Sequence, residues 1–330
     1  MASREQLALK VSVIIVTHSE ERLPKLKQIL NGIASQTYPH IEVIVVGNGV
    51  TELEHEYLNQ WAIDAKDRRF LPFSDNAWSY LDHSTIGRLR YRAGIQHAQG
   101  DLIFCQSDDD FVAPDFFERM VNLFEFNADC MTAIGIPLGY YWESKRVEFP
   151  KEGAWKARPR YMHGKDLVLN WIKDKSFHPN PGFCFVCRRA LFVEAGDTIW
   201  YGYDTSVLLS LVPQGITGFD SEALMYWGCH ENQAHLELDE KHYQNFVYVK
   251  QFRKRNQLAL DIWKKIGSPA EVRTLKTFQK NELAHHSARG VFLALKRKNL
   301  LLAFKHFKTG GILRVIVIGL KEVKVKISRC

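Results

Sequence analysis

The stretch Val11-Ser12-Val13-Ile14-Ile15-Val16 is an almost unbroken run of β-branched residues. A strand with one wet face alternates apolar and polar side chains, whereas a strand covered by helices on both faces does not. The run therefore predicts a buried strand of a parallel sheet. The next thirty residues agree. Leu23, Leu26, Leu30 and Ile33 recur at helical spacing behind Glu20, Glu21 and Pro24, which suit a first turn. A second apolar run, Ile41 to Val46, comes next. Strand, helix and strand in this order make a βαβ unit with a right-handed crossover. In open sheets of such units ligands bind beyond the carboxyl ends of the strands. Thr17, His18 and Ser19 stand at the end of the first strand, and Gly47, Asn48 and Gly49 at the end of the second.

A third apolar run, Leu102 to Cys105, leads into three consecutive carboxylates, Asp108, Asp109 and Asp110. Adjacent carboxylates repel one another, and a hard divalent cation such as magnesium or manganese converts that cost into binding. The alternative is a solvated acidic turn leading into a helix. Pro114 suits a first turn, and Phe117, Met120, Val121 and Phe124 keep helical spacing after it. If this third strand joins the same sheet, three loops meet at one crevice.

Further candidates lie along the chain. A helix around Ile86 to Ala98 carries Arg88 and Arg92 on one face, where two guanidinium groups suit a diphosphate or simply face solvent. Between Tyr140 and Arg160, Trp142 and Trp155 offer flat surfaces for a sugar ring, with core packing as the alternative. A strand over Phe183 to Cys187 precedes Trp200 to Ser206. There Asp204 stands before the apolar segment Val207 to Leu211, as a helix N-cap or as a general base. After a short strand, Ile216 to Phe219, the segment Trp227 to Gln233 reads as a polar turn with His230 as a structural hydrogen-bonder or a metal ligand.

The net charge of +7 conceals an asymmetry. Residues 241–330 carry 21 Lys and Arg against four Asp and Glu, so residues 1–240 are acidic overall. The expected organisation is a domain at 1–240 and a basic, mainly helical extension at 241–330. Phe292, Leu295 and Phe304 interleave there with lysines and arginines, as in a helix on an anionic membrane or one covering the acidic body. No nucleic-acid motif is present, so nucleic acid is not an expected partner. The longest apolar run near the C-terminus, Val315 to Leu320, is far short of the roughly 20 residues of a membrane span. Six cysteines without framework spacing, and no secretory signal before the first strand, point to a cytoplasmic protein, peripheral on the inner face of the cell membrane if the tail binds lipid. Cys184 and Cys187 are three apart on a strand, face opposite ways, and make a poor zinc or redox pair.

The arrangement resembles the family 2 glycosyltransferases of GT-A fold. The resemblance is carried by the opening strand to Thr17, the turn Ser35-Gln36-Thr37-Tyr38-Pro39, the strand Ile41 to Val46, Gly100-Asp101 before the acidic loop, Pro114 after it, and Gly202-x-Asp204. It implies an α/β fold with a mostly parallel, Rossmann-like sheet, and an inverting transfer of sugar from a nucleotide-sugar donor. A UDP-sugar comes first among donors, and the acceptor is a saccharide or lipid-linked saccharide of a cell-surface polysaccharide. Thr17, His18, Ser19 and Asn48 would line the nucleotide, and Arg88 or Arg92 would aid the diphosphate. Asp108 and Asp109, with Asp110 as a further ligand, would hold magnesium or manganese, with His230 approaching the metal, and Asp204 would be the base. The chain departs from the family at Gly47-Asn48-Gly49, where an aspartate is common, and at Tyr203-Asp204, with tyrosine in a usual glutamate place. The competing readings are a sugar-nucleotide-forming nucleotidyltransferase, and a nucleic-acid- or membrane-binding protein acting through the tail.

Overall fold

A computed structural model describes residues 8–17, 22–48, 51–73, 83–149, 159–173, 184–196, 203–229, 247–312 and 314–316. Of residues 48, 83–88, 203, 204, 247, 248, 250 and 251 it describes the backbone alone. The chain divides into two compact units, Met1–Glu231 and Asn232–Cys330.

The first unit is built on β1 (Val11–Thr17), β2 (Ile41–Asn48), β3 (Arg68–Phe73) and β4 (Leu102–Ser107), all parallel and in the order β3-β2-β1-β4. Helices α1 (Leu23–Ala34), α2 (Glu52–Ile63) and α3 (His83–His97) connect them. Every residue of β1 is buried, because helices cover both faces. Val11, Val13 and Ile15 pack with Leu26, Ile29 and Leu30 of α1 and Leu58 of α2. On the other face α3 lies so close that a Cβ on Gly94 would collide with Cγ2 of Ile14. Chain order reverses between β1 and β4, and that is where such sheets open a ligand crevice.

The second half of the sheet is mixed. After β5 (Phe111–Val112) and α4 (Phe116–Phe126) come β6 (Cys130–Tyr141), β7 (Arg146–Glu148), β8 (Tyr161–His163) and α5 (Gly164–Lys173). Then follow β9 (Phe185–Arg188), α6 (Arg189–Ala195) and α7 (Tyr203–Ser206), which runs on as a π-helical turn to Leu211, and finally β10 (Ile216–Cys229). Strand β9 is antiparallel to both β4 and β6, while β6 and β10 are parallel. The short strand expected at Ile216 to Phe219 and the polar turn expected from Trp227 are one long strand through Cys229, with a register break between Phe219 and Leu224. Asp220, Ser221 and Glu222 at the break interrupt the apolar pattern, which hid the continuation from the sequence. Cys184 and Cys187 are fully buried, and burial pushes both thiols up, which leaves them inert.

Two sequence patterns act as clamps. In the first, Gly100 donates its N–H to Ser12 Oγ and to Glu42 Oε1, and Asp101 Oδ2 accepts the N–H of Lys10 at 2.9 Å. A Cβ on Gly100 would meet Ser12 Oγ at 2.6 Å and the Lys10 carbonyl at 2.7 Å, so glycine is required. This lock ties the N-terminal ends of β1, β2 and β4 together. In the second, Thr37 donates its N–H to Pro114 O at 2.9 Å and Gln36 Nε2 donates to Ala113 O at 2.8 Å. That pins the exit of the acidic loop to the end of α1.

The second unit contains α8 (Val247–Ile266), α9 (Pro269–Lys296) and α10 (Leu300–Gly310). A capping box at Ser268 and Glu271 starts α9, and Arg255 of α8 forms a largely buried ion pair with Glu282 of α9 at 2.6 Å. Helices α9 and α10 touch closely where Gly290 meets the buried His306 ring, 2.5 Å from a Cβ built there. Among the described residues no helix is long and apolar enough to cross a membrane.

Candidate active site

The sheet register sets the site. Val16 pairs with both Val46 and Ser107, so the ends of β1, β2 and β4 are level and their loops open side by side. Asp108, Asp109 and Asp110 come directly after β4, and all three are buried.

The three carboxylates do different work. Arg22, at the N-terminal end of α1, brings Nη1 to 2.5 Å from Asp108 Oδ1 and 3.5 Å from Asp109 Oδ2. Two aspartates thus converge on one cation. Burial disfavours the Arg22 charge, but the charges of Asp108 and Asp109 outweigh it and raise the guanidinium pKa. Asp110 turns the other way and accepts the Gly228 N–H at 2.9 Å. Burial, reinforced by the Asp109 charge, holds the Asp110 carboxyl well above the usual carboxylate range. The sequence presents three adjacent aspartates as possible metal ligands, and the geometry separates the pair 108/109 from Asp110.

The loop is held by its own backbone. Trp142 Nε1 donates to Asp109 O at 2.9 Å, and Gln106 Nε2 donates to Asp110 O at 2.6 Å. Ala113 donates its N–H to Leu224 O at 3.0 Å. A Cβ on Gly228 would collide with Asp109 O, so only glycine lets β10 approach the loop this closely. These bonds fix where the carboxylates stand before any ligand arrives.

Of the other expected residues, Thr17 sits at the end of β1 fully buried, its hydroxyl donating to the equally buried Glu54 Oε1 at 3.2 Å. Asn48 ends β2 and Arg88 lies on α3, but their side chains are outside the described residues. Arg92 is half-buried on α3, and its neighbour Arg90 is buried. Asp204 is the second residue of α7, with its side chain outside the described residues. His18, Ser19, Trp155 and His230 also lie outside them. Among the described residues no group of three His, Cys, Asp or Glu side chains converges as a complete metal cage.

Sequence reasoning missed Arg22, Glu54 and Gln106. A basic residue immediately after Glu20-Glu21, close behind β1, was the available signal for Arg22. For Gln106 the signal was an amide on the same strand face as Leu102 and Phe104.

A sequence model of glycosyl transferase family 2 matches residues 12–194, more than half of the chain. The chain belongs to glycosyl transferase family 2. It is a glycosyltransferase. The glucosyl-dolichyl phosphate glucuronosyltransferase of Haloferax volcanii is 24% identical over 255 residues, 76% of this chain and 70% of that protein. The glycosyltransferase GlyA of Streptococcus pneumoniae is 26% identical over 141 residues, 42% of this chain but 18% of that protein. Among solved structures, S. aureus TarS 1–349 in complex with UDP-GlcNAc superposes with a TM-score of 0.56 at 13% identity, over 96% of this chain and 92% of that one. At that identity the likeness speaks for the fold alone, and the fold is GT-A. In this family member the acidic loop occupies the position, beyond the reversal of strand order, where an open α/β sheet receives its ligand.

Proposed function

We propose that this family 2 enzyme transfers a sugar, with inversion, from a nucleotide-sugar donor to a hydroxyl of a growing cell-surface saccharide, with a divalent metal. UDP-sugars are the first donors to test, in keeping with the TarS complex with UDP-GlcNAc. The observation that carries this reading is the convergence of Asp108 and Asp109 on one cation at the end of β4. Two hard carboxylate oxygens suit magnesium or manganese, which fill the rest of their shell with water and phosphate oxygens. Held by Asp108 and Asp109, such an ion would supply the neutralisation that a departing diphosphate needs.

The chain's own groups account for the remainder. Arg22, released from the aspartates, pairs with phosphate oxygens, for which a guanidinium fork is well shaped. Asp204 takes the proton from the attacking hydroxyl. One base without an enzyme nucleophile means a single displacement and inversion at the anomeric carbon. Thermal-shift measurements with UDP, GDP, CDP and dTDP, each with and without manganese, test the donor side. One nucleotide is expected to stabilise the protein by about 2–3 kcal/mol at a hundredfold excess over its Kd, and only with the metal. Equal shifts without metal would sink the metal dependence, and no shift with any nucleotide would sink the donor.

The acceptor reading is a lipid-linked saccharide, in keeping with the dolichyl phosphate substrate named for the Haloferax relative. It implies work at a membrane surface. Between Glu282 and Glu322 the chain has eight Lys and Arg and no acidic residue. In the same segment Phe292, Leu295, Leu300, Leu301 and Phe304 are all exposed. Exposed apolar residues set among cations suit the interface of an anionic bilayer. In vesicle flotation the protein is expected to rise with phosphatidylglycerol-containing vesicles and not with pure phosphatidylcholine. Leu301→Ser with Phe304→Ser should abolish the association. Unchanged flotation of that variant would remove this surface from the acceptor reading.

A further inference from the structure

A cavity of about 250 Å³ lies in the first unit beside the acidic loop. Ile29, Gly32 and Ile33 of α1 form one wall, and Phe111, Tyr140 and Trp142 another. The aromatic wall is rigid. Phe111 stacks on Tyr226 at 4.6 Å between centroids, and Tyr140 and Trp142 meet edge to face at 5.3 Å. Gln106 also lines the cavity. It is fully buried and its Nε2 is engaged by Asp110 O, but its Oε1 has no hydrogen-bond partner. That oxygen is enclosed by protein, so the polar groups open to an occupant stand at the rim. Gln28 adds a second amide at the rim.

We infer that this cavity is a subsite for one pyranose unit of the acceptor saccharide, its ring against the Phe111, Tyr140 and Trp142 wall and its hydroxyls toward the Gln28 amide at the rim. Aromatic faces with an amide at the rim match a sugar, which presents C–H patches and hydroxyls together. The volume is below the roughly 300–1,000 Å³ of drug-sized pockets, which limits the occupant to a single small ring. The wall is bonded to the catalytic loop, through Trp142 to Asp109 and Gln106 to Asp110, so an occupant adjoins the place proposed for the donor diphosphate. The assignment rests on the transferase reading for the word acceptor, whereas the binding of a sugar stands by itself.

Gly32 provides the test. It lines the cavity, and a Cβ built on it meets nothing within 4 Å. Because alanine and leucine both favour a helix over glycine, Gly32→Ala and Gly32→Leu keep α1 intact, yet only leucine fills the space. Saturation-transfer NMR on the full chain would use the methyl glycosides of glucose, galactose, mannose and N-acetylglucosamine at millimolar concentration. At least one is expected to bind, to bind equally well to Gly32→Ala, and to lose at least about tenfold in affinity, or roughly 1.4 kcal/mol, in Gly32→Leu. Binding that Gly32→Leu leaves within twofold, or no binding by any glycoside, would overturn the inference. So would signals from octanoate alone, which would assign the cavity to an apolar chain. UDP titrated into the same samples reports on the donor separately. Absence of UDP binding with the glycoside retained counts against the UDP-sugar donor and leaves the subsite standing.

Discussion

Replacing Asp109 with asparagine is expected to lower glycosyl transfer by about 10²–10³-fold while leaving the fold intact. The substitution keeps the size and shape of the side chain. It does not touch the contact that anchors Trp142, because that bond ends on the Asp109 backbone carbonyl. What it removes is one of the two negative charges that converge on Arg22, and with it half of the proposed metal ligation. Initial rates with a panel of nucleotide sugars measure the effect, and a thermal melt confirms folding. The neighbouring Asp110→Asn is the internal comparison. Asp110 accepts the Gly228 N–H and has no ion pair with Arg22, and asparagine keeps that acceptor oxygen, so the two charges that converge on the cation remain. Its effect on rate is expected to be less than about tenfold. Full activity in Asp109→Asn, or an equal loss in both variants, would refute the division of labour drawn here.

Glu42→Ala is expected to destabilise the protein by about 3–5 kcal/mol, a large part of the 5–15 kcal/mol that typically separates folded from unfolded chains. Glu42 is buried near the start of β2, far along the strands from the acidic loop. It accepts Ser12 Oγ at 2.5 Å and the N–H groups of Gln99 at 2.6 Å and Gly100 at 2.9 Å. Arg69 and Lys10 approach its other oxygen at 3.3 and 3.7 Å. Alanine would leave the buried Ser12 hydroxyl and the Gln99 N–H without this acceptor, the buried Gly100 N–H with Ser12 Oγ alone, and Arg69 without its carboxylate, while Lys10 keeps Asp67 at 3.1 Å. Urea denaturation would read the loss as a lower midpoint with an unchanged slope. Because the network ties together the strand ends opposite the site, the residual folded fraction should keep its donor affinity. A midpoint within about 0.5 kcal/mol of the parent would show that water replaces the carboxylate at no cost.

These two carboxylates show how unevenly the sequence speaks. The first βαβ unit was legible because β1 and α1 each carry a local apolar period, and burial of one face or both follows from that period alone. The acidic loop was legible because three adjacent charges are conspicuous wherever they occur. Glu42 was not, since an acid inside an apolar strand carries no sign of the donors that will surround it. The turn at Gln36-Thr37 and the pair Gly100-Asp101 could be read as family marks, but their work, clamping the loop exit and the strand starts, is done across 77 and 88 residues of chain.

The sequence by itself determined a helix-covered parallel sheet that ends in a cluster of carboxylates, because period, β-branching and charge are local properties of the chain. Only the tertiary structure decided which aspartates face a common cation, that Arg22 is the residue facing them, and that Asp110 turns inward to Gly228. The reason is geometric. Neighbouring residues on a loop point in directions set by what packs against each of them, and for this loop those partners come from α1, β6 and β10, all distant in the chain.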